Sequence, residues 1–496
     1  MAATSVATAL QSHPLVAGVR VAAPALTDTQ QKPTVYVVLK PQAWQVPADL
    51  GRQHNMNWQR VYDAAYEHAA PDPLLDTTCW KDSYSGAPIP AEQMAEWVND
   101  TVVRILELAP RRILEIGCGT GLLLYRLAPH CDEYVGLDIS QTAVERLTAD
   151  LAARSGDFAH VAVHQRGADQ LQDFAARRFD LVIINSVVMY FPSEDYLSSV
   201  LDNAIGMVGQ GGQEGGHVFV GDVRDRASAD LFYLTVELAR LGADAAAGEL
   251  AAAVRKRAAI EKELLVPAAY FTALAERDKR ISGVRVELKA GAARNEMTRF
   301  RYDATLAVGD AASGGRWPAI DGSTLDQDGA ERIVKDAATL PCRMARLRNA
   351  RLAREASLLA ALVEDEAAPV RALLSRPDAP AIDPAALAAT AKLHGRAISI
   401  QPSASGRVEE FDAIVWAAQE KPPEEVWSTR LPGRASGPRH ALNLQLRLRM
   451  ERQLTQALLK SLEPILGSVL GSTLGSTSDK AEPRPNIVLV DELPAD

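Results

Sequence analysis

Residues 113–121, Ile-Leu-Glu-Ile-Gly-Cys-Gly-Thr-Gly, run from an apolar strand into three alternate glycines, and Tyr134-Val-Gly-Leu-Asp138 follows as a short apolar run closed by a carboxylate. Few folds tolerate this order. Glycines let the backbone turn sharply at the carboxyl end of a strand and approach a ligand where a side chain would clash. Asp138, ending the next strand, is suited to accept hydrogen bonds from a ribose diol. The pairing nominates a nucleotide-like cofactor site, and a tight strand-to-helix turn without a ligand is the competing reading. The spacing is G-x-G-x-G with Glu115 ahead of it, whereas a dinucleotide turn reads G-x-G-x-x-G. That difference favours S-adenosylmethionine, a sulfonium with no pyrophosphate to seat on a helix N-terminus.

Further strand-like runs follow in rhythm. Val161-Ala-Val-His164, Phe179-Asp-Leu-Val-Ile-Ile184 and His217-Val-Phe-Val-Gly221 are separated by helical or turn segments. A helix is predicted over 91–109 from Met94, Trp97, Val98, Val102, Ile105 and Leu108, and another over Gln141 to Arg154 with Ser140 as N-cap. Strands alternating with helices imply a largely parallel, doubly wound α/β sheet. An alanine-rich helical stretch, about 228 to 264, is long enough to serve as a lid. Val284–Leu288 and Thr298–Val308 read as a closing antiparallel pair. At 496 residues the chain exceeds one ordinary domain.

Composition removes several function classes. The net charge of −10 offers no general attraction to nucleic acid. No apolar run is long enough to span a bilayer, and Met1 to Leu10 lacks the basic start of a secretory signal. Cys79, Cys118, Cys131 and Cys342 are scattered without metal-ligand spacing, so no metal site is expected and the chain reads as a soluble, cytoplasmic protein with free thiols. Residues 331 to 415 alternate helices with one hairpin, 397–400 with 412–415. The arginines between Arg343 and Arg354 are placed on a helix with a solvated face. Residues 467–485, rich in Gly and Ser, read as a flexible connector.

Several separated motifs occur in order: Trp58…Val61-Tyr-Asp63, Ser83-Tyr-Ser-Gly-Ala-Pro-Ile-Pro-Ala-Glu92, Glu96-Trp97, the glycine turn, Asn185-Ser-Val-Val-Met-Tyr-Phe-Pro192, Val220-Gly-Asp-Val-Arg224 and Asn295-Glu-Met-Thr-Arg-Phe-Arg-Tyr-Asp303. From Trp58 to Gly309 the chain resembles the methyltransferase domains embedded in nonribosomal peptide synthetases. The resemblance implies a class I methyltransferase, a Rossmann-like seven-stranded mostly parallel sheet, S-adenosylmethionine as cofactor, and N-methylation of an aminoacyl group held on a carrier protein. The segments His13–Ala22, Pro33–Val38, Arg449–Pro464 and Asn486–Pro494 are similar to the small C-terminal subdomain of an adenylation domain. The implied organisation is an adenylation-subdomain remnant at 1–50 and 431–496, a methyltransferase domain at 51–310 and an accessory α+β region at 311–430. A peptide synthetase or carrier protein is the docking partner so implied.

Methyl transfer from a sulfonium is an in-line displacement, catalysed mainly by positioning. The cofactor contacts expected are Glu115, Gly117, Cys118, Gly119, Gly121, Asp138 and Ile139, with Ala168 and Asp169 after the third strand and Asn185 and Ser186 at the end of the fourth. Simple strand termination is an equal reading of Asn185 and Ser186. Tyr190 and Tyr84 are candidates to wall the methyl channel, Tyr84 also counting among the cofactor contacts. Asp222 or Glu296 is the candidate proton acceptor. Arg224 suits a substrate carboxylate, or a contact with Asp222. Met189 stands where the resembled family is expected to carry glutamine, which keeps an O-methyltransferase acting on an oxime or hydroxyl as the alternative. A non-catalytic scaffold for a synthetase is a third reading.

Overall fold

A computed structural model describes residues 2–22, 34–67, 73–77, 80–154, 156–208, 215–309, 319–336, 340–427, 429, 431, 441–473 and 485–494. The chain divides into two compact units, one of Met1–Arg52 with Ser436–Asp496 and one of Gln53–Ala435.

The larger unit is built on a seven-stranded sheet: β1 (Arg112–Ile116), β2 (Glu133–Asp138), β3 (Val161–Gln165), β4 (Leu181–Asn185), β5 (Gly216–Arg224), β6 (Ile281–Leu288) and β7 (Arg301–Val308). Its order is β3-β2-β1-β4-β5-β7-β6, and only β7 runs antiparallel to its neighbours. This is the doubly wound sheet implied by the strand–helix rhythm, with the seven strands that the resemblance to methyltransferase domains implies. Central strands here are covered on both faces, so they are continuously apolar rather than alternating. Ile113, Leu181, Ile183 and Phe219 enter one core with the helix Ala91–Leu106. Leu114, Ile116, Val182 and Ile184 enter the opposite core with Leu197, Val200 and Leu201 of the helix Glu194–Met207. Ser140 caps Gln141–Ala153 by accepting from Ala143 N at 3.2 Å.

The strand order reverses between β1 and β4, which opens a crevice at their carboxyl ends. The glycine turn after β1, Asp138 at the end of β2 and Asn185 at the end of β4 all fall on that edge.

A second sheet in the same unit has the order 319–321, 342–348, 410–417, 396–402. Residues 396–402 and 410–417 form the hairpin read from the sequence. The arginine-bearing segment is for the most part not a helix: Cys342–Arg348 is a strand, and Arg354 lies in the helix Ala353–Glu364. Cys342, Met344 and Leu347 enter the local core, while Arg343 pairs with Asp412 and Glu425, Arg346 with Asp321 and Arg348 with Asp378. Two-residue alternation holds from Cys342 to Met344 and is broken by a register shift before Leu347, and the charges are largely paired. The stretch at 228–264 is two helices, Ala229–Leu241 and Ala247–Ala258, whose core includes Leu358 and Leu362 of Ala353–Glu364.

In the smaller unit, Val16–Ala22 pairs antiparallel with Thr34–Leu39, which pairs in parallel with Asn486–Val490. Helix Leu444–Thr473 includes residues 467–473, so the start of the connector read from the sequence is helical; residues 474–484 lie outside the described residues.

Candidate functional site

The glycine turn works through backbone shape. Gly117, Gly119 and Gly121 have φ of 82°, 50° and 86°, a region open to glycine and costly for other residues. A Cβ at Gly117 would collide with Val187, and one at Gly121 would sit 2.9 Å from Leu147 Cδ1. Gly117 N and Cys118 N both donate to Leu137 O, at 2.7 and 2.9 Å. Asp138 then closes the turn, accepting from Gly119 N and Ser140 N at 2.8 Å each. Burial raises its pKa, while those two N–H groups favour the anion.

Gly117, Gly119 and Asp138 line a cavity with Glu115, Ile116, Cys118, Ile139, Ala168, Asn185, Ser186 and Tyr190. Glu115 is buried and accepts from Tyr134 Oη at 2.6 Å. Burial pushes its pKa up to about 8, against the lowering effect of the Tyr134 bond. Asn185 is 8% exposed, and its Oδ1 has no hydrogen-bond partner among the described residues. A buried acceptor without a partner is costly, and this one fits a ligand N–H. The positive-φ turn, the Asp138 carboxylate and the orphan amide oxygen together fit an adenosyl group with an amino acid tail.

Gly121, Tyr84 and Asp169 are not among the residues lining this cavity. Gly121 allows close packing against Leu147 and Tyr125. Asp169 is exposed, and Tyr84 Oη lies 3.2 Å from Thr235 Oγ1 beside a different core.

The expected catalytic carboxylates are bound to protein groups. Asp222, fully buried with φ of 58°, accepts from Trp97 Nε1 at 3.2 Å, Ser186 Oγ at 2.8 Å and Arg301 Nη1 at 2.5 Å. It lies within β5 at a register shift rather than after the strand. The arrangement makes it an anchor for Ser186. Arg224 does not contact Asp222 and does not offer an empty fork: it pairs with Glu261 at 2.9 Å and Glu263 at 2.7 Å. Glu296 accepts from Ser83 N at 2.8 Å and lies 3.7 Å from Arg301. Met189 is 2% exposed and lines neither this cavity nor the one described next; its carbonyl accepts from Leu264 N at 2.7 Å.

Sequence reasoning missed the aromatic wall. Trp58 and Tyr62 on the helix Ala48–Ala65, with Tyr66 just beyond it, line the cofactor cavity. Trp58 and Tyr190 have ring centroids 4.6 Å apart, Tyr62 and Tyr190 5.2 Å, and Tyr62 and Tyr66 5.6 Å. His54 Nε2 lies 2.9 Å from Tyr190 O, and Ser140 Oγ donates to Asp63 Oδ1 at 2.6 Å, tying this helix to the sheet edge. Aromatic residues at i, i+4 and i+8 were the available signal. A second cavity shares Trp58, Trp80 and Tyr190 with the first and adds Arg224, Glu261, Glu263, Glu296 and Arg301.

Residues 114–213 match a family model described as a methyltransferase domain. The chain is 37% identical over 314 residues to chondramide synthase cmdD of Chondromyces crocatus, covering 62% of this chain and 8% of that protein. It is 36% identical over 315 residues to CymA of Salinispora arenicola, described as a nonribosomal peptide synthetase, covering 62% and 4%. Against the beauvericin nonribosomal cyclodepsipeptide synthetase of Beauveria bassiana it is 31% identical over 316 residues, covering 62% and 10%. The chain thus spans a tenth or less of the length of these relatives. It carries a class I methyltransferase domain, and the cofactor of that domain is S-adenosylmethionine.

Proposed function

We propose that this methyltransferase domain N-methylates a small amine or a carrier-bound aminoacyl group in a pathway of the nonribosomal peptide type. The observation that carries the reading is a pair of cavities that share Trp58, Trp80 and Tyr190. One has the glycine turn and Asp138; the other, reached past Trp58, Trp80 and Tyr190, is lined by Glu261, Glu263 and Glu296. That cavity holds the carboxylates Asp225, Glu261, Glu263 and Glu296 among the cations Lys81, Arg224, Arg257, Lys262 and Arg301, so an acceptor ammonium is met by the aromatic faces of Trp58, Trp80 and Tyr190 and by individual carboxylates rather than by net charge. When bound, the cofactor supplies an electrophilic methyl group, and the carbon–sulfur bond that breaks leaves its electron pair on sulfur.

The chain's own residues then have three tasks. Asp138 and the glycine turn orient the donor. The Trp58, Tyr62 and Tyr190 rings exclude water at the junction. The hydrogen bonds of Asp222 to Ser186, Trp97 and Arg301 hold the floor between the two cavities rigid, so that nucleophile and methyl group meet in line.

Two competing readings draw less support from the site. The O-methyltransferase alternative rested on Met189, whose side chain faces neither cavity; a free-acid substrate rested on Arg224, whose fork is held by two glutamates. The similarity to synthetases supports a carrier-protein or synthetase partner. We assign residues 1–50 and 431–496 to an adenylation-subdomain remnant, a reading supported by the sheet that joins Val16–Ala22, Thr34–Leu39 and Asn486–Val490.

Incubation with methyl-labelled cofactor and separate pools of free amino acids, aminoacyl thioesters and hydroxy acids tests the reading. Label on nitrogen in an amine-bearing pool is the expected result. Label only in the hydroxy-acid pool overturns N-methylation, and tight cofactor binding without transfer to any pool favours a scaffold.

A further inference from the structure

We infer that Glu263 is the group that takes the proton from the acceptor amine, an inference that rests on the N-methyltransferase reading above. An α-amino group has a pKa of roughly 7.7–8.0, so near neutral pH most of it is protonated and lacks the lone pair that attacks. A carboxylate lining the second cavity solves this.

Five carboxylates surround that region, and two of them, Asp222 and Glu261, have hydrogen bonds on both oxygens. Asp222 is fully buried, with three donors on its two oxygens. Glu261 Oε1 accepts from Arg224 Nη1, Lys262 N and Glu263 N, and its Oε2 from Arg224 Nη2 and Tyr233 Oη. Asp225 folds back on its own turn to accept from Ala227 N. Glu296 Oε2 accepts from Ser83 N and its Oε1 lies 3.7 Å from Arg301; what sets it apart from Glu263 is its burial, at 7% exposed.

Glu263 differs. Its side chain is 26% exposed and lines the second cavity. Oε2 accepts from Arg224 Nη1 at 2.7 Å, whereas Oε1 has no hydrogen bond among the described residues. Its segment is fastened on both sides of the reacting region, by Leu264 N to Met189 O at 2.7 Å and Val266 N to Arg224 O at 3.1 Å. The charged and titratable groups around it are Arg224, Glu261, Arg301, Tyr62 and Tyr190, with Lys81, Asp225, Tyr233, Arg257, Lys262 and Glu296 lining the same cavity, and its negative charge reinforces burial in raising the pKa of Tyr62 and Tyr190. One oxygen is therefore locked by Arg224, and the other is left for a substrate N–H. In the step, the ammonium N–H bond breaks with its electron pair remaining on nitrogen, and an O–H bond forms on Glu263. After methylation the secondary ammonium loses a proton by the same route, and Glu263 returns each proton to solvent.

The test uses the full chain and its Glu263→Gln variant, with glycyl, alanyl and phenylalanyl N-acetylcysteamine thioesters as probes. Methyl transfer is measured from pH 6 to 9, and S-adenosylhomocysteine affinity by calorimetry. The inference expects cofactor-product affinity within about twofold of wild type. It also expects transfer lowered by about 100-fold near neutral pH, with partial recovery as pH rises and the free amine accumulates. Transfer by E263Q within about threefold of wild type at every pH overturns the role of Glu263 while leaving N-methylation intact. A wild-type chain that methylates no amine overturns the underlying reading and the inference with it. If E263Q loses S-adenosylhomocysteine binding, Glu263→Asp decides: restored binding with lowered kcat supports the role, and restored binding with full kcat overturns it.

Discussion

Ser186 Oγ donates to Asp222 Oδ2 at 2.8 Å, joining the carboxyl ends of two adjacent parallel strands, and both residues sit at φ of 58°. A left-handed conformation in a residue other than glycine costs of order 1 kcal/mol or more and persists only where the surroundings over-determine it. Here the fixing groups are Arg301 and Trp97, the other two donors to the same carboxylate.

Asp222→Asn is therefore expected to act on stability. It leaves the buried Arg301 guanidinium without its closest anion, and breaking one partner of a buried pair costs about 3–5 kcal/mol. Urea denaturation checks this. A fully stable variant with abolished transfer would instead restore Asp222 as the proton acceptor.

Asp138→Ala is expected to weaken cofactor binding by roughly 1.5–3 kcal/mol, the worth of hydrogen bonds to a charged acceptor. Calorimetry with S-adenosylhomocysteine reads the change directly. Unchanged affinity would remove Asp138 from the cofactor site.

Gly117→Ala is expected to abolish cofactor binding, because it forces a side chain into a φ of 82° and against Val187. Adding Val187→Ala relieves only the collision. Partial recovery in the double variant is the predicted outcome, measured by the same titration.

Glu115 makes stability depend on pH. Its pKa is about 8 in the folded chain, raised by burial from 4.5. Between those values the folded state binds more protons than the unfolded state, so stability falls as pH rises through the window, with a slope approaching about 1.4 kcal/mol per unit. Denaturation at pH 5 and pH 8 should show a flatter dependence for Glu115→Gln than for wild type.

Met189→Gln is expected to lower stability by about 1–3 kcal/mol, the cost of burying an amide without assured partners, and to leave acceptor choice unaltered. Comparing the methylated products of the two proteins checks the second half.

The sheet was legible because it is written locally. Apolar runs such as Leu181–Asn185, the N-cap at Ser140 and the alternate glycines each act through neighbours in sequence, and the cavity-lining residues Glu115, Gly117, Cys118, Gly119, Asp138 and Ile139 sit on that framework. The arginine strand at Cys342–Arg348 was misread because charge clustering masked a two-residue alternation.

The roles of the acidic and basic side chains were decided only in three dimensions. Which carboxylate stays available depends on which guanidinium reaches it: Arg301 takes Asp222 from 79 residues away, and Arg224 takes Glu261 from 37. Hydrophobic period and glycine spacing constrain the backbone residue by residue. Ion pairing is set by distance and burial after the chain has folded, so Asp222, Arg224 and Glu296 became fixed structural groups, and Glu263 was left facing the cavity.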